Sequence, residues 1–127
     1  MKTAEEIQSV LNHCYGTEGY HRWSSLFRNH VLTDGTKLLC EMADCYWLMD
    51  AIASYHKSAM KDEMLQDIQF WTLTVNGTEA TLICERYTDN IAFKQTIPYT
   101  DFPLKEIKLY VSRADENLWV ILLPSEN

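Results

Sequence analysis

The sequence predicts an α+β domain: an antiparallel sheet of about five strands in a C-terminal meander, with N-terminal helices packed on one face. Three observations carry this. Apolar residues recur at helical spacing in the first half, the period changes to two from Ile68 onward, and Asn76-Gly77 marks a tight hairpin between two alternating runs. The 127 residues read as one domain, mainly helical over 1–66 and sheet over 67–127.

Each element has its own reason. Thr3-Ala4-Glu5-Glu6 is a capping box, and the helix it opens shows Ile7, Val10, Leu11 and Cys14 on one face before Gly16 ends it. Tyr15 to Ser25 has no period, and Leu26 to Leu32 holds a short strand. Thr33-Asp34-Gly35 starts a helix that runs through Thr36–Ala43. Asp44 then caps a stronger one, with Cys45, Leu48, Met49, Ile52 and His56 on its apolar face, Asp50, Ser54, Lys57 and Lys61 on its polar face and Trp47 at the margin. Trp71, Leu73 and Val75 alternate with threonines; Thr78–Arg86 returns; Ile91, Phe93, Gln95 and Ile97 form a third strand; Ile107, Leu109 and Val111 a fourth. The fifth, Leu118–Leu123, is apolar on both faces. In a meander it lies at an edge, where an apolar strand aggregates. Either Leu26–Leu32 covers it or a second copy does, which makes a homodimer through the last strand.

The triplet Tyr87-Thr88-Asp89 recurs as Tyr99-Thr100-Asp101. The strand between them is roughly 23 Å long at about 3.3 Å per residue, so the triplets sit at opposite ends of the sheet. Asp89 and Asp101 are too far apart for a catalytic carboxylate pair, which needs about 10 Å or less. Turn chemistry explains both triplets. One end of the sheet then gathers Asn76-Gly77, Tyr99–Leu104 and Pro124-Ser125-Glu126. The other gathers Asp62, Glu63, Asp67, Asp89, Asp115 and Glu116, an acidic rim.

Charge and composition narrow the function. The net charge is −7 and the 11 Lys and Arg form no run, which disfavours direct contact with nucleic acid or an anionic membrane. No apolar run approaches 18 residues and the opening MKTAEEIQSV is polar, so a cytoplasmic chain with four free thiols (Cys14, Cys40, Cys45, Cys84) is expected. Cys45 and His56 share a helix face but lie about 16 Å apart along it, beyond hydrogen-bond reach. His21, His30 and Asp34 match no metal-ligand spacing, and no nucleotide, hydrolase or metalloprotease motif is present. No catalytic residue, metal site or cofactor is assigned. The binding signal is aromatic: Tyr99 and Phe102 flank Asp101 on a long loop, and Trp47 and Asp50 stand one turn apart facing a possible groove.

Four stretches, Thr33-Asp34-Gly35, Tyr46–His56 (YWLMDAIASYH), Ile97–Leu104 (IPYTDFPL) and Val120–Glu126 (VILLPSE), together resemble a family of small bacterial proteins of unknown function, associated with phage- and plasmid-rich genomes. The resemblance implies a context, that of accessory factors which bind and inhibit a host protein, and brings no activity or catalytic residue. The expectation is a non-enzymatic protein-binding module, in its sharpest form an anti-CRISPR-like inhibitor of a host defence protein. Its partner-binding residues are Tyr99, Asp101 and Phe102 on the loop, Asp89, Asp115 and Glu116 on the rim, and Trp47 with Asp50. The alternatives are a small-molecule binder or small enzyme with a pocket between helices and sheet, and a homodimeric structural protein.

Overall fold

Thr3 caps the first helix, α1 (Ala4–Leu11), through the reciprocal bonds of the capping box: its hydroxyl oxygen accepts from the Glu6 amide, and the Glu6 carboxylate accepts from the Thr3 amide. The computed structural model describes residues 2–127. α1 stops at Leu11, short of Gly16, and the chain reaches β1 (His30–Leu32) through an irregular segment. α2 (Asp34–Ala43) follows, capped by the Thr33 hydroxyl. α3 (Tyr46–Ser54) follows in turn and gives way at Tyr55 to a single turn, α4 (His56–Ala59).

Asp44 does not cap α3. It closes α2 in the left-handed region, with φ 50°, and Cys45 takes the N-cap position of α3 without a side-chain bond. Aspartate tolerates both conformations, so its presence before a helical run does not choose between them. A non-glycine residue there carries backbone strain, so Asp44→Gly is expected to stabilise the fold by about 0.5–1 kcal/mol, seen as a raised thermal midpoint.

The second half is β2 (Ile68–Asn76), β3 (Glu79–Tyr87), β4 (Asn90–Ile97), β5 (Glu106–Asp115) and β6 (Leu118–Leu122). The sheet has six strands in the order β1-β6-β5-β2-β3-β4 and is mixed, because β1 runs parallel to β6 while all other pairs are antiparallel. The sheet is therefore not a five-stranded meander. β2, β3 and β4 are consecutive hairpin strands, and β5 returns beside β2, which is a Greek key. The physical reason lies in β4. None of its residues is fully buried and Lys94 sits at its centre, so it suits the margin, whereas Leu109 and Val111 of β5 need the buried position against Trp71 and Gln69 of β2. The returning loop crosses the β2–β3 turn, with the Thr100 amide bonded to the Thr78 carbonyl, and drives Phe102 and Leu104 into the core.

β1 settles the apolar last strand. His30, Val31 and Leu32 pair with Trp119, Val120 and Ile121, so β6 is flanked on both sides and offers no free edge to a second copy. Thr33 thereby lies at the sheet end that also holds Pro124–Glu126.

Both triplets are turns. Thr88-Asp89 links the paired Tyr87 and Asn90, with Asp89 at φ 65°, and the Thr100 hydroxyl oxygen accepts from the Phe102 amide two residues on. The main core lies between the helices and the inner sheet face, around Ile7, Leu39, Leu48, Ile52, Trp71 and Leu109. Its polar members are paired: the Trp71 indole donates to Gln69, whose amide donates to the Leu65 carbonyl.

Candidate functional site

Two clusters concentrate the titratable side chains. The first forms where α3 breaks. β1 points His30 inward beside Trp119, its register partner, and the break at Tyr55 brings His56 onto the same pair. The His30 and His56 rings meet edge to face with centroids 4.9 Å apart, and His56 meets Trp119 at 4.5 Å. The Trp119 indole donates to the Gln66 carbonyl, and the Arg113 guanidinium lies 5.1 Å from its ring centre. Burial, reinforced by the nearby His56, pushes His30 down to about 4, and burial also lowers His56. Both imidazoles are therefore neutral near pH 7. His56 Nδ1 is buried and has no hydrogen-bond partner. A groove of about 220 Å³ opens beside the cluster, between Leu26–His30 and Ala53–Lys57.

The second cluster forms at the N-terminus of α2, where two of the four marker stretches converge. The Glu126 carboxylate accepts from the Thr33 hydroxyl at 2.6 Å, the Leu123 amide at 3.0 Å and the Gly35 amide at 3.1 Å. It is the anion that a helix N-terminus attracts, supplied from the other end of the chain. Alongside, His21 Nε2 lies 2.6 Å from Asp34 Oδ1, and Asp34 Oδ2 accepts from the Glu18 amide. These bonds, the Glu18 amide first and then His21, hold the Asp34 carboxyl below the usual range. A His–Asp pair orients an imidazole for base catalysis when a nucleophile adjoins it. The thiol in this region, Cys14, is pushed up by burial and then by the charges of Glu126 and Asp34, so it stays protonated. The Thr17 hydroxyl donates to the Gly19 carbonyl and accepts from the Asp34 amide. The cluster is a structural clasp. The remaining thiols, Cys40, Cys45 and Cys84, are buried away from any reactant, and desolvation pushes Cys84 up to about 12.

The residues singled out from the sequence are dispersed. Tyr99 is 73% exposed and Asp101 is exposed, but Phe102 is buried and cannot present its ring to a partner; the Thr100 turn folds it inward. Asp89, Asp115 and Glu116 are exposed at one sheet end. Two further acids of that rim are engaged, Asp62 with Arg86 at 2.7 Å and Asp67 with Arg113 at 3.6 Å, so the rim is less acidic than its composition. Trp47 is half-buried against the core, and Asp50 pairs with Trp23, whose indole donates to it at 2.9 Å. His30, His56 and Trp119 are the residues that sequence reasoning missed as a group. They are far apart in the chain and share no motif; the one available signal was a histidine on an apolar helix face.

Among the described residues, no three His, Cys, Asp or Glu side chains are grouped to hold a metal ion, and no helix is long and apolar enough to cross a membrane. The outer face of the sheet carries a groove of about 410 Å³ between Phe70, Thr72, Glu85, Tyr87, Lys108 and Tyr110. No curated protein and no solved structure matches the chain. A family model matches residues 5–127, nearly the whole chain, and by that match the protein belongs to the family of unknown function DUF6876.

Proposed function

We propose that this chain is a non-enzymatic protein-binding module that takes an extended segment of a partner protein along β4, as a seventh strand, with the adjoining outer face of the sheet as the specificity surface. The observation that carries the reading is the state of β4. It is eight residues long and lies at the end of the sheet, and among the described residues its backbone makes no backbone bond outside the β3 ladder. Such an edge offers a row of main-chain donors and acceptors to an added strand. Ile91 of the strand itself and the neighbouring Tyr87 are 50% and 54% exposed, and the pairing row Ile91–Glu85–Phe70–Tyr110 crosses the outer face with Glu85 as its one charged member. Tyr99 lies just past the strand's end.

The sharper form is a mobile-element inhibitor of a host defence protein. It rests on the exposed acids Asp89, Asp115 and Glu116, which would stand in for phosphates against a basic groove. The two surfaces are separable by mutation. Tagged protein is used to capture partners from a bacterial lysate, with the native mass of the complex. A stoichiometric partner lost with Ile91→Lys and kept with Asp89→Lys/Asp115→Lys/Glu116→Lys supports strand addition at β4. The reverse pattern moves the contact to the rim, and recovery of bare protein overturns the module.

A further inference from the structure

Strand pairing gathers three aromatic rings and a carboxylate around one groove on the outer face of the sheet. Period-two alternation sends Trp71 and Leu73 of β2 into the core and leaves Phe70 and Thr72 on the opposite face. Phe70 pairs with Tyr110 on β5 and with Glu85 on β3, so the three stand in one row across the sheet. With Tyr87, two residues on from Glu85, they line the groove of about 410 Å³. That volume falls in the range of small-molecule sites. The helices pack against the other face, around the main core.

Each part is held by a contact of its own. The Phe70 and Tyr110 rings meet edge to face, with centroids 5.1 Å apart and 90° between their planes, which makes a corner. The Tyr87 hydroxyl accepts from the Asn90 side-chain amide at 3.0 Å. One oxygen of the Glu85 carboxylate accepts from the Asp89 amide at 2.8 Å, and this half-buried side chain has no cationic partner among the described residues. The exposed acids Asp89, Asp115 and Glu116 lie at the same end of the sheet, so the local field is negative. Lys108 reaches the groove from the next row, opposite Thr72. Two strand spacings of about 4.8 Å and two residues of about 3.3 Å set its Cα about 12 Å from that of Glu85. No ion pair joins the two.

We propose that this groove binds an organic cation, a substituted ammonium head seated among the rings of Phe70, Tyr87 and Tyr110 with its charge facing the free oxygen of Glu85. A ring presents its negative π face to a cation, and several rings around one head stand in for the hydration it sheds. A metal ion fits less well, because it needs several oxygen ligands where the groove offers one carboxylate. An anion fits less well because Glu85 repels it. Rings and a carboxylate already in place have little left to order on binding. The groove is centred on β2, two strands in from β4, so the proposal stands or falls separately from strand addition there.

The test is titration of the full chain, followed by NMR and calorimetry, with three probes: choline, the amide of Nα-acetyl-Nε-trimethyllysine, and the uncharged alcohol in which carbon replaces the nitrogen of choline. The first two carry the same head on a free molecule and on a peptide unit, and the tighter binder identifies the source. Saturable binding of at least one of them is expected, with its N-methyl protons shifted upfield by the ring currents. The uncharged alcohol is expected to bind about tenfold more weakly than choline. Glu85→Gln, which keeps an acceptor for the Asp89 amide, and Tyr87→Leu are each expected to weaken binding about fivefold. Lys108→Gln is expected to strengthen it about twofold by removing a like charge. Thermal midpoints of the three variants check that the fold is intact. Absence of saturable binding by both cations overturns the proposal, as does equal binding of the uncharged alcohol or binding that Glu85→Gln and Tyr87→Leu leave unchanged.

Discussion

Lowering the pH from 7 to about 4.5 is expected to cost the fold about 2 kcal/mol through His30 alone. The folded-state value of this histidine is pushed down from 6.5 to about 4, and its ring is 3% exposed. As the pH falls through the unfolded value, the unfolded chain takes a proton that the folded chain refuses. The stability present above about 6.5 is therefore lost progressively down to about 4, below which both states are protonated and this loss stops growing. The surroundings offer the proton no relief. His56 is a second imidazole, Trp119 is neutral, and the charged groups nearby are cationic, Arg113 over the indole and Arg28 and Lys57 at the groove, apart from Asp67, which is exposed and paired with Arg113. His56, lowered in the same direction by burial, adds to the loss. Urea unfolding at pH 7 and at 4.5 measures it. His30→Leu should shrink the difference to the part left by His56. Equal midpoints for the parent protein at the two pH values would show that His30 titrates normally. The carboxyls held low by their bonds, Asp34 and Asp62, lose their contributions only as the pH falls further, so they do not mask this window.

The local patterns were legible where one residue decides one feature. Thr3 and Glu6 form the capping box they spell, and Asn76-Gly77 makes the hairpin, with Gly77 at φ 67°. The period-two runs placed β2, β3 and β4 to within a residue or two, because alternating burial on a one-sided sheet fixes the face of each residue, whereas β5 runs four residues beyond Val111, to Asp115, where the alternation has faded into exposed residues. Strand order was not legible. A meander and a Greek key have the same alternation and the same short turns, and they differ only in whether the loop after Ile97 turns beside β4 or crosses to β2. That choice is made by burial summed over whole strands, with Lys94 against Leu109 and Val111. The three-residue β1 is too short for any period. The apolar Leu118–Leu123 demanded a neighbour but left Leu26–Leu32 and a second copy equally eligible, and the strand covers only the last three residues of that segment, His30–Leu32. The histidine cluster was illegible for a different reason: its members come from β1, β6 and the break in α3, and nothing local to His56 announces that break. Phe102 shows the remaining ambiguity, since an aromatic in a polar loop serves equally as a contact or as a plug for the core.

Removing the Glu126 carboxylate is expected to cost about 2–3 kcal/mol, although the residue is next to the last of the chain. Glu126→Ala leaves the Gly35 and Leu123 amides and the Thr33 hydroxyl without their shared acceptor, in a partly buried setting where water replaces it poorly. The thermal midpoint should fall by roughly 10 °C at about 4 °C per kcal/mol. Glu126→Gln keeps one acceptor oxygen but turns an NH₂ toward the other donors, so it should recover less than half. Gly35 gives the independent check. A Cβ there would lie 2.9 Å from Glu126 Cδ and 2.8 Å from Leu123 Cδ1, so Gly35→Ala cannot be accommodated while the carboxylate holds its place. The two side-chain ends could swing aside if they were free, but three bonds pin the glutamate. Gly35→Ala should therefore cost about 1–3 kcal/mol in the parent protein, despite the better helix propensity of alanine. In the Glu126→Ala background most of that cost should vanish. A double-mutant cycle reads the difference directly. Additive losses would mean that Glu126 is mobile in solution and that the clasp between the α2 N-terminus and the C-terminal segment does not persist there. Strong coupling would explain why two sequence stretches 90 residues apart both mark this chain: they are the two halves of one contact.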